Sequence, residues 1–146
     1  MSKFIIQGGQ PLKGAVRIGG AKNASFKLMI AACLGNTDSR LLNISDISDC
    51  IETEKALLEL GFEVKHCGDQ TLLVGPGKNG TQKHCTLSRK NTRASTLIAA
   101  ILLHNHKQAI IPIPGGCKLG GRPIDRHLDA FSKLGVKIKE NDQNIE

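Results

Sequence analysis

The sequence predicts an α/β (α+β) protein assembled from about two copies of one βαβαβ-type unit. Three observations carry that expectation. Ala24-Ser25, followed by an apolar stretch, returns as Ala94-Ser95 followed by Thr96-Leu97-Ile98-Ala99-Ala100-Ile101-Leu102-Leu103, an offset of 70 residues. Ala56-Leu57-Leu58-Glu59-Leu60-Gly61-Phe62-Glu63-Val64-Lys65 returns as Ala130-Phe131-Ser132-Lys133-Leu134-Gly135-Val136-Lys137-Ile138-Lys139, an offset of 74. Both copies read helix, strand, loop, helix, Leu-Gly, strand, which is the pattern of an internal repeat. The four extra residues of the second copy fall between the matched blocks, in the part that holds a glycine-rich loop around Cys117. A lengthened loop on a repeated scaffold is where function concentrates.

Taken in order, residues 3–7 and 15–18 read as short strands around a Gly-Gly-Gln-Pro turn at 8–11. Gly19-Gly20 opens a helix from about 23 to 34, apolar on most sides and therefore expected to be buried, which Gly35-Asn36 should end as a C-terminal cap. A strand follows at about 40–44, then a loop with Asp46 and Asp49, then a helix from about 51 to 60 that Gly61 stops. Phe62-Glu63-Val64-Lys65 and Thr71-Leu72-Leu73-Val74 pair plausibly as a hairpin, and Gly75 to Gln82 is a polar connection.

Composition narrows the function classes. The 146 residues, 40% hydrophobic and 23% charged, fit a soluble globular chain with a core of its own. No apolar run approaches the roughly 20 residues of a membrane span. Met1-Ser2-Lys3-Phe4-Ile5-Ile6 lacks the apolar core of a signal peptide, so a cytoplasmic protein with no membrane partner is expected. Five cysteines without framework spacing fit a reducing compartment. His66-Cys67 and His84-Cys85 are poor metal ligands, because neighbours on a strand point to opposite faces and the usual ligand spacings are missing. The net charge of +7 raises the question of nucleic acid, but the chain has 3% aromatics, no Trp, no Tyr and no dense basic run. Small polyanions held by a few placed cations explain the balance better.

The candidate site residues follow from that. Pro114 to Asp125 holds four glycines, the thiol of Cys117, and the cations Lys118 and Arg122. Read alone, it fits a surface turn as well as a ligand loop with a tuned thiol. Lys22, Arg93 and Arg122 each stand near the expected start of a helix, where a cation opposes the helix dipole. Three such placements are expected to converge on an anion. The loop is no phosphate-binding P-loop, since Gly121-Arg122 replaces the Lys-Ser/Thr pair.

Gly20-Ala21-Lys22-Asn23-Ala24, Thr92-Arg93-Ala94-Ser95, Pro114-Gly115-Gly116-Cys117, and Gly121-Arg122-Pro123-Ile124-Asp125 with His127 together resemble the UDP-N-acetylglucosamine 1-carboxyvinyltransferases. The resemblance implies an inside-out α/β barrel, of which the chain would supply an N-terminal portion. Residues 1–21 would be a strand segment that packs with the other domain, and 22–146 a partial Cys-loop domain with repeats at about 22–75 and 90–146. It implies transfer of the enolpyruvyl group of phosphoenolpyruvate to the 3-hydroxyl of UDP-N-acetylglucosamine, releasing phosphate. The route is addition and elimination through a tetrahedral ketal, without metal or organic cofactor, as the committed step of peptidoglycan synthesis.

By the same resemblance, Lys22 would bind phosphoenolpyruvate with Asn23 beside it, and Arg122 would touch both substrates. Arg93 would help hold the sugar nucleotide, while Arg122, Pro123, Ile124, Asp125, Arg126 and His127 would cradle its uridine end. Cys117 would be the general acid that protonates the methylene carbon, and could add covalently to phosphoenolpyruvate. The pattern departs at Arg126, where an apolar residue is expected. It departs again in length: the family's catalytic aspartate and a further arginine are expected beyond this portion. Two other readings stay open. One is a non-catalytic fragment, truncated or from a split gene, that binds the nucleotide sugar and needs its missing domain in trans or self-associates. The other is the sister branch acting on shikimate 3-phosphate, against which Asn23 stands where Ser is expected.

Overall fold

The computed structural model describes residues 3–9, 11–68, 70–76, 85–88, 94–113 and 124–146. In chain order these form α1 (Lys22–Ala32), β1 (Ser39–Leu41), α2 (Ser48–Glu59), β2 (Glu63–His66), β3 (Leu72–Gly75), α3 (Ser95–His106), β4 (Ile111–Pro112), α4 (Asp125–Lys133) and β5 (Asn144–Ile145). Residues 22–75 and 95–145 thus repeat the order helix, strand, helix, then paired extended segments.

The sheets repeat as well. β3 lies between β1 and β2, antiparallel to both, with Leu41 opposite Leu72 and Val64 opposite Val74. In the second copy β5 lies antiparallel to β4, with Ile111 opposite Ile145. On its other side the Lys139 N–H donates to the Glu146 carbonyl and the Glu146 N–H to the Lys139 carbonyl, both at 2.8 Å. Residues 85–88 add a parallel neighbour: the Leu87 N–H donates to the Ile110 carbonyl at 2.9 Å, and the Ile110 N–H to the Cys85 carbonyl at 2.8 Å.

The Leu-Gly of each copy has a backbone reason. Gly61 (φ 89°) and Gly135 (φ 90°) are left-handed, and each follows the last residue of a helix end. The N–H groups of Gly61 and Phe62 donate to the carbonyls of Leu58 and Leu57, both at 3.0 Å. Gly135 and Val136 donate likewise to Ser132 at 2.9 Å and Phe131 at 3.0 Å. Both ends are Schellman caps, which satisfy carbonyls the helix leaves unpaired and turn the chain into the next extended segment.

Packing decides what is buried. Leu57 of α2, Leu60 at its end, and Ile98, Ile101 and Leu102 of α3 are fully enclosed, as is Met29 of α1. Leu87 is 1% exposed, and the Ser88 N–H donates to the Glu59 carboxylate at 2.9 Å, tying the second copy to the first. The second copy is looser around α4, which buries no residue completely. A cleft of about 440 Å³ runs between α3 and α4 past Thr96, Ala99, Phe131 and Val136. Where the first copy has Phe26, Met29 and Phe62, the second has Thr96, Ala99 and Val136, so smaller side chains line the space. Leu134 is 81% exposed, whereas its counterpart Leu60 is enclosed.

Several sequence expectations are corrected here. Among the described residues, 3–7 and 15–18 form no strand, and Phe4, Ile5, Ile6, Val16 and Ile18 are exposed. An extended segment becomes a strand only where a neighbour takes up its hydrogen bonds. α1 is not enclosed on most sides: Leu28 is about half-exposed, as is Leu34 just beyond its end. It ends at Ala32, and Gly35 is no left-handed cap. Instead the N–H groups of Cys33, Leu34 and Gly35 bond three residues back, tightening the end. α2 begins at Ser48, so Asp49 belongs to its first turn rather than to a loop. α4 begins at Asp125 after Ile124, and Arg122, expected near its start, lies outside the described residues.

The caps make a paired prediction. Gly135→Ala should lower the unfolding free energy by about 1–2 kcal/mol, because L-residues resist the left-handed region. Gly35→Ala should change it little, since Gly35 has no positive φ and a Cβ would meet the Ala32 carbonyl at 3.5 Å, an ordinary contact. Urea denaturation of both variants tests this; equal losses would refute the left-handed account.

Candidate functional site

The region around the start of α1 is built by backbone contacts. Ala21 precedes the helix in an extended conformation and offers no side-chain cap, and the first turn holds no acidic residue. The N–H groups of Ala24 and Ser25 bond to the Ala21 carbonyl at 3.0 and 2.9 Å, which leaves those of Lys22 and Asn23 at the open end. Ser25 is 2% exposed; its hydroxyl donates to the Ala21 carbonyl and accepts the Ser45 N–H, both at 3.0 Å. The Ser45 hydroxyl in turn donates to the Gly20 carbonyl. Gly20 must be glycine, because a Cβ there would overlap the Asn43 carbonyl. These contacts hold the segment before Lys22 against the loop that follows β1.

Lys22 leaves this frame half-exposed and forms an ion pair with Asp49, whose side chain is 27% exposed. Asp49 comes from the first turn of α2, where a carboxylate suits the helix dipole. Below it, Cys50 is buried, and its thiol is pushed up by burial and by the Asp49 and Asp46 carboxylates, against opposing help from Ser25 and Lys22. Two helix starts, one ammonium and one carboxylate therefore meet within one corner of the first copy. A smaller cleft of about 210 Å³ adjoins it, lined by Ser45, Asp46, Cys50 and Glu54 among others. There His66 Nε2 lies 3.0 and 3.1 Å from the two Glu54 carboxylate oxygens. Among the described residues no group of three or more His, Cys, Asp or Glu could hold a metal ion.

Of the residues expected to bind ligand, Lys22 and Asn23 stand together in the first turn of α1, both exposed. Ile124 precedes α4 and is half-buried, while Asp125, Arg126 and His127 form its exposed first turn. The His127 N–H donates to the Ile124 carbonyl at 2.8 Å. No hydrogen bond or ion pair among the described residues joins the start of α4 to that of α1. Cys117, Arg93, Arg122 and Pro123 lie outside the described residues, and so does the expected convergence of three cations. His84 lies outside them too. Sequence reasoning missed Asp49 as the partner of Lys22. The available signal was its place two residues into an apolar-patterned helix, where an acidic residue is favoured.

The remaining thiols differ sharply in setting. Burial pushes Cys33 up to about 12, and its Sγ–H faces the Met29 carbonyl at 3.4 Å. Cys67 is exposed and Cys85 half-buried.

The family model of EPSP synthase (3-phosphoshikimate 1-carboxyvinyltransferase) matches residues 6–146. Among curated relatives, a protein named UDP-N-acetylglucosamine 1-carboxyvinyltransferase of Gluconobacter oxydans is 38% identical over 139 residues, covering 95% of this chain and 33% of the relative. One from Acinetobacter guillouiae shows the same identity and coverage. UDP-N-acetylglucosamine 1-carboxyvinyltransferase 3 of Caldanaerobacter subterraneus is 38% identical over 138 residues, 94% of this chain and 33% of the relative. An EPSP synthase structure from Acinetobacter baumannii superposes with a TM-score of 0.64 at 16% identity, covering 90% of this chain and 32% of that one. The chain thus spans about a third of the length of the relatives it matches, 33% in the first of them.

Two measurements check this corner. Asp49→Asn should raise the rate at which an amine acylating reagent modifies Lys22, read by mass spectrometry, without a large loss of stability. An exposed pair contributes only about 0–1 kcal/mol. An unchanged rate would mean Asp49 does not shield the ammonium. Alkylation of the native chain at pH 8 should spare Cys33 and Cys50 while modifying Cys67, and urea should abolish the difference. Early labelling of Cys33 would contradict its burial.

Proposed function

The chain belongs to the EPSP synthase family, and on that premise we propose that it is the N-terminal part of a UDP-N-acetylglucosamine 1-carboxyvinyltransferase, a transferase of peptidoglycan synthesis. The observation that carries this reading is the 38% identity, sustained over 95% of the chain, to relatives of that name. The sister reaction on shikimate 3-phosphate is less favoured, because the EPSP synthase structure shares only 16% identity and speaks for the fold alone.

In the proposed reaction the 3-hydroxyl oxygen of the sugar bonds to C2 of phosphoenolpyruvate, while Cys117 gives a proton to the methylene carbon C3. The hydroxyl proton passes to a base outside this portion. Loss of a C3 proton with departure of phosphate from C2 then restores the double bond and leaves the enol ether. Both substrates are polyanions, so fixed cations must offset their repulsion and stabilise the leaving phosphate. Lys22, with Asn23 beside it, takes the phosphoenolpyruvate side. Arg122 serves both substrates through the planar fork that suits carboxylate and phosphate. Arg93, Pro123, Ile124, Asp125, Arg126 and His127 serve the nucleotide sugar. A thiol is a fitting acid, since its ordinary pKa of about 8.5 needs only modest tuning.

The span of about a third of the relatives' length favours a second reading beside the first: binding by this portion and turnover only with the remainder supplied in trans. Phosphate release from phosphoenolpyruvate, with and without UDP-N-acetylglucosamine, tests both. Release that needs the sugar nucleotide and disappears in Cys117→Ser supports the transferase with that acid. Release restored only by adding the missing portion supports the second reading. Unchanged release in Cys117→Ser would remove the thiol from its role. Equal release without the sugar nucleotide would overturn the substrate.

A further inference from the structure

One buried hydroxyl joins the pieces of backbone that carry the Lys22 corner. Ser25 is 2% exposed, and its hydroxyl donates to the Ala21 carbonyl and accepts the Ser45 N–H, both at 3.0 Å. The Cys50 thiol also has a side-chain hydrogen bond with Ser25. A single side chain thus links the segment entering α1, the loop after β1 and the first turn of α2. Those pieces carry Lys22 and Asn23 on one side and Asp49 on the other. A hydroxyl has one proton and two lone pairs to share, and Ser25 spends them on these three partners. It therefore acts on a ligand only through its neighbours.

The repeat alone does not demand this arrangement. Ser95, buried at the start of α3, is the counterpart of Ser25. The Ile44 N–H donates to the Gln70 carbonyl at 2.8 Å and the Ile113 N–H to the Gln143 carbonyl at 3.0 Å, which sets Ile44 and Ile113 at equivalent places. Ser45 then matches Pro114 in the sequence, and proline has no N–H to give. The bond from the loop to the buried serine is a property of the first copy, where Lys22 stands.

We infer that Ser25 is a positioning residue for the phosphoenolpyruvate side of the proposed site. It holds the Lys22 ammonium and the N–H groups of Lys22 and Asn23 where the anionic groups of that substrate meet them. The segment ahead of these groups is clamped twice, by the Ser25 hydroxyl at Ala21 and by the Ser45 hydroxyl at Gly20. Gly20 is in turn pressed against the Asn43 carbonyl. Donors already aimed at a charge need no reorganisation when it arrives, whereas donors that must first be ordered lose affinity to that ordering. The inference rests on the reading that gives phosphoenolpyruvate to Lys22 and Asn23, and it adds a residue that the resemblance does not name.

Titrating phosphoenolpyruvate into the isotope-labelled 146-residue chain, with the amide signals of Lys22 and Asn23 followed by NMR, tests this. The measurement is made at a temperature where circular dichroism shows each variant fully folded. Ser25→Ala should weaken binding about tenfold, the scale of one lost hydrogen bond. Ser25→Thr, which keeps the hydroxyl, should recover most of the affinity. A serine that serves stability alone would lower the thermal midpoint in Ser25→Ala and leave the affinity of the folded chain unchanged, and that result overturns the inference. Ser45→Ala removes only the bond to Gly20 and should weaken binding in the same direction. If Ser25→Ala does not fold, Ser45→Ala decides, and unchanged affinity there overturns the inference as well. Absence of any shift at Lys22 and Asn23 in the unsubstituted chain would instead remove the phosphoenolpyruvate reading of those two residues, and the inference with it.

Discussion

Neither repeat of this chain can hide its apolar face alone, and the burial of α3 against the first copy is the contact on which the rest depends. Ile98, Ile101 and Leu102 of α3 are fully enclosed, α3 packs against α1, and Ser88 bonds to Glu59 of α2. Repeat proteins gain stability in this way, unit against neighbour, with each interface covering what its own unit leaves open. The consequence is graded order along the chain. The first copy, covered by the second, encloses Leu60; the second, beyond which no further unit is described, leaves the equivalent Leu134 in solvent and α4 without a fully buried residue.

How much of this was legible in the sequence follows from which forces are local. The hairpin of β2 and β3, the helices and the Leu-Gly stops were readable, because apolar periodicity and a glycine that must take positive φ are written into adjacent residues. Helix starts were not. α1 and α2 begin after Ala21 and Ile47, neither of which provides a side-chain cap, so no residue type marks the boundary. The strands expected at 3–7 and 15–18 failed for a different reason. Their apolar residues suit a strand, but pairing is a long-range event that short-range pattern cannot guarantee.

The candidate site divides along the same line. Lys22 and Asn23 stood out because a cation at a helix start opposes the dipole and asks for an explanation. Asp49 supplies part of that explanation from a helix 27 residues further on, and only the packing of α1 against α2 brings it there. The serine pair that fixes Gly20 and Ala21 was equally invisible, since Ser25 and Ser45 look like ordinary polar residues until burial gives their hydroxyls fixed partners. The loop around Cys117 and the residues Arg93 and Arg122 lie outside the described residues, so their part of the site rests on resemblance and family.

The pairing of Lys22 with Asp49 also bears on how an anion approaches. A lone ammonium projects a field that falls off slowly and draws charged molecules from a Debye length away, about 8 Å at physiological ionic strength. An ammonium already facing a carboxylate projects a dipole, whose field fades much faster. A negatively charged molecule arriving at α1 is therefore not steered by Lys22 from a distance; it exchanges with Asp49 on contact. Selectivity at such a point lies in whether the newcomer offers the ammonium and the adjacent N–H groups more than one carboxylate does, and phosphate, with its several oxygens, is a stronger competitor than chloride.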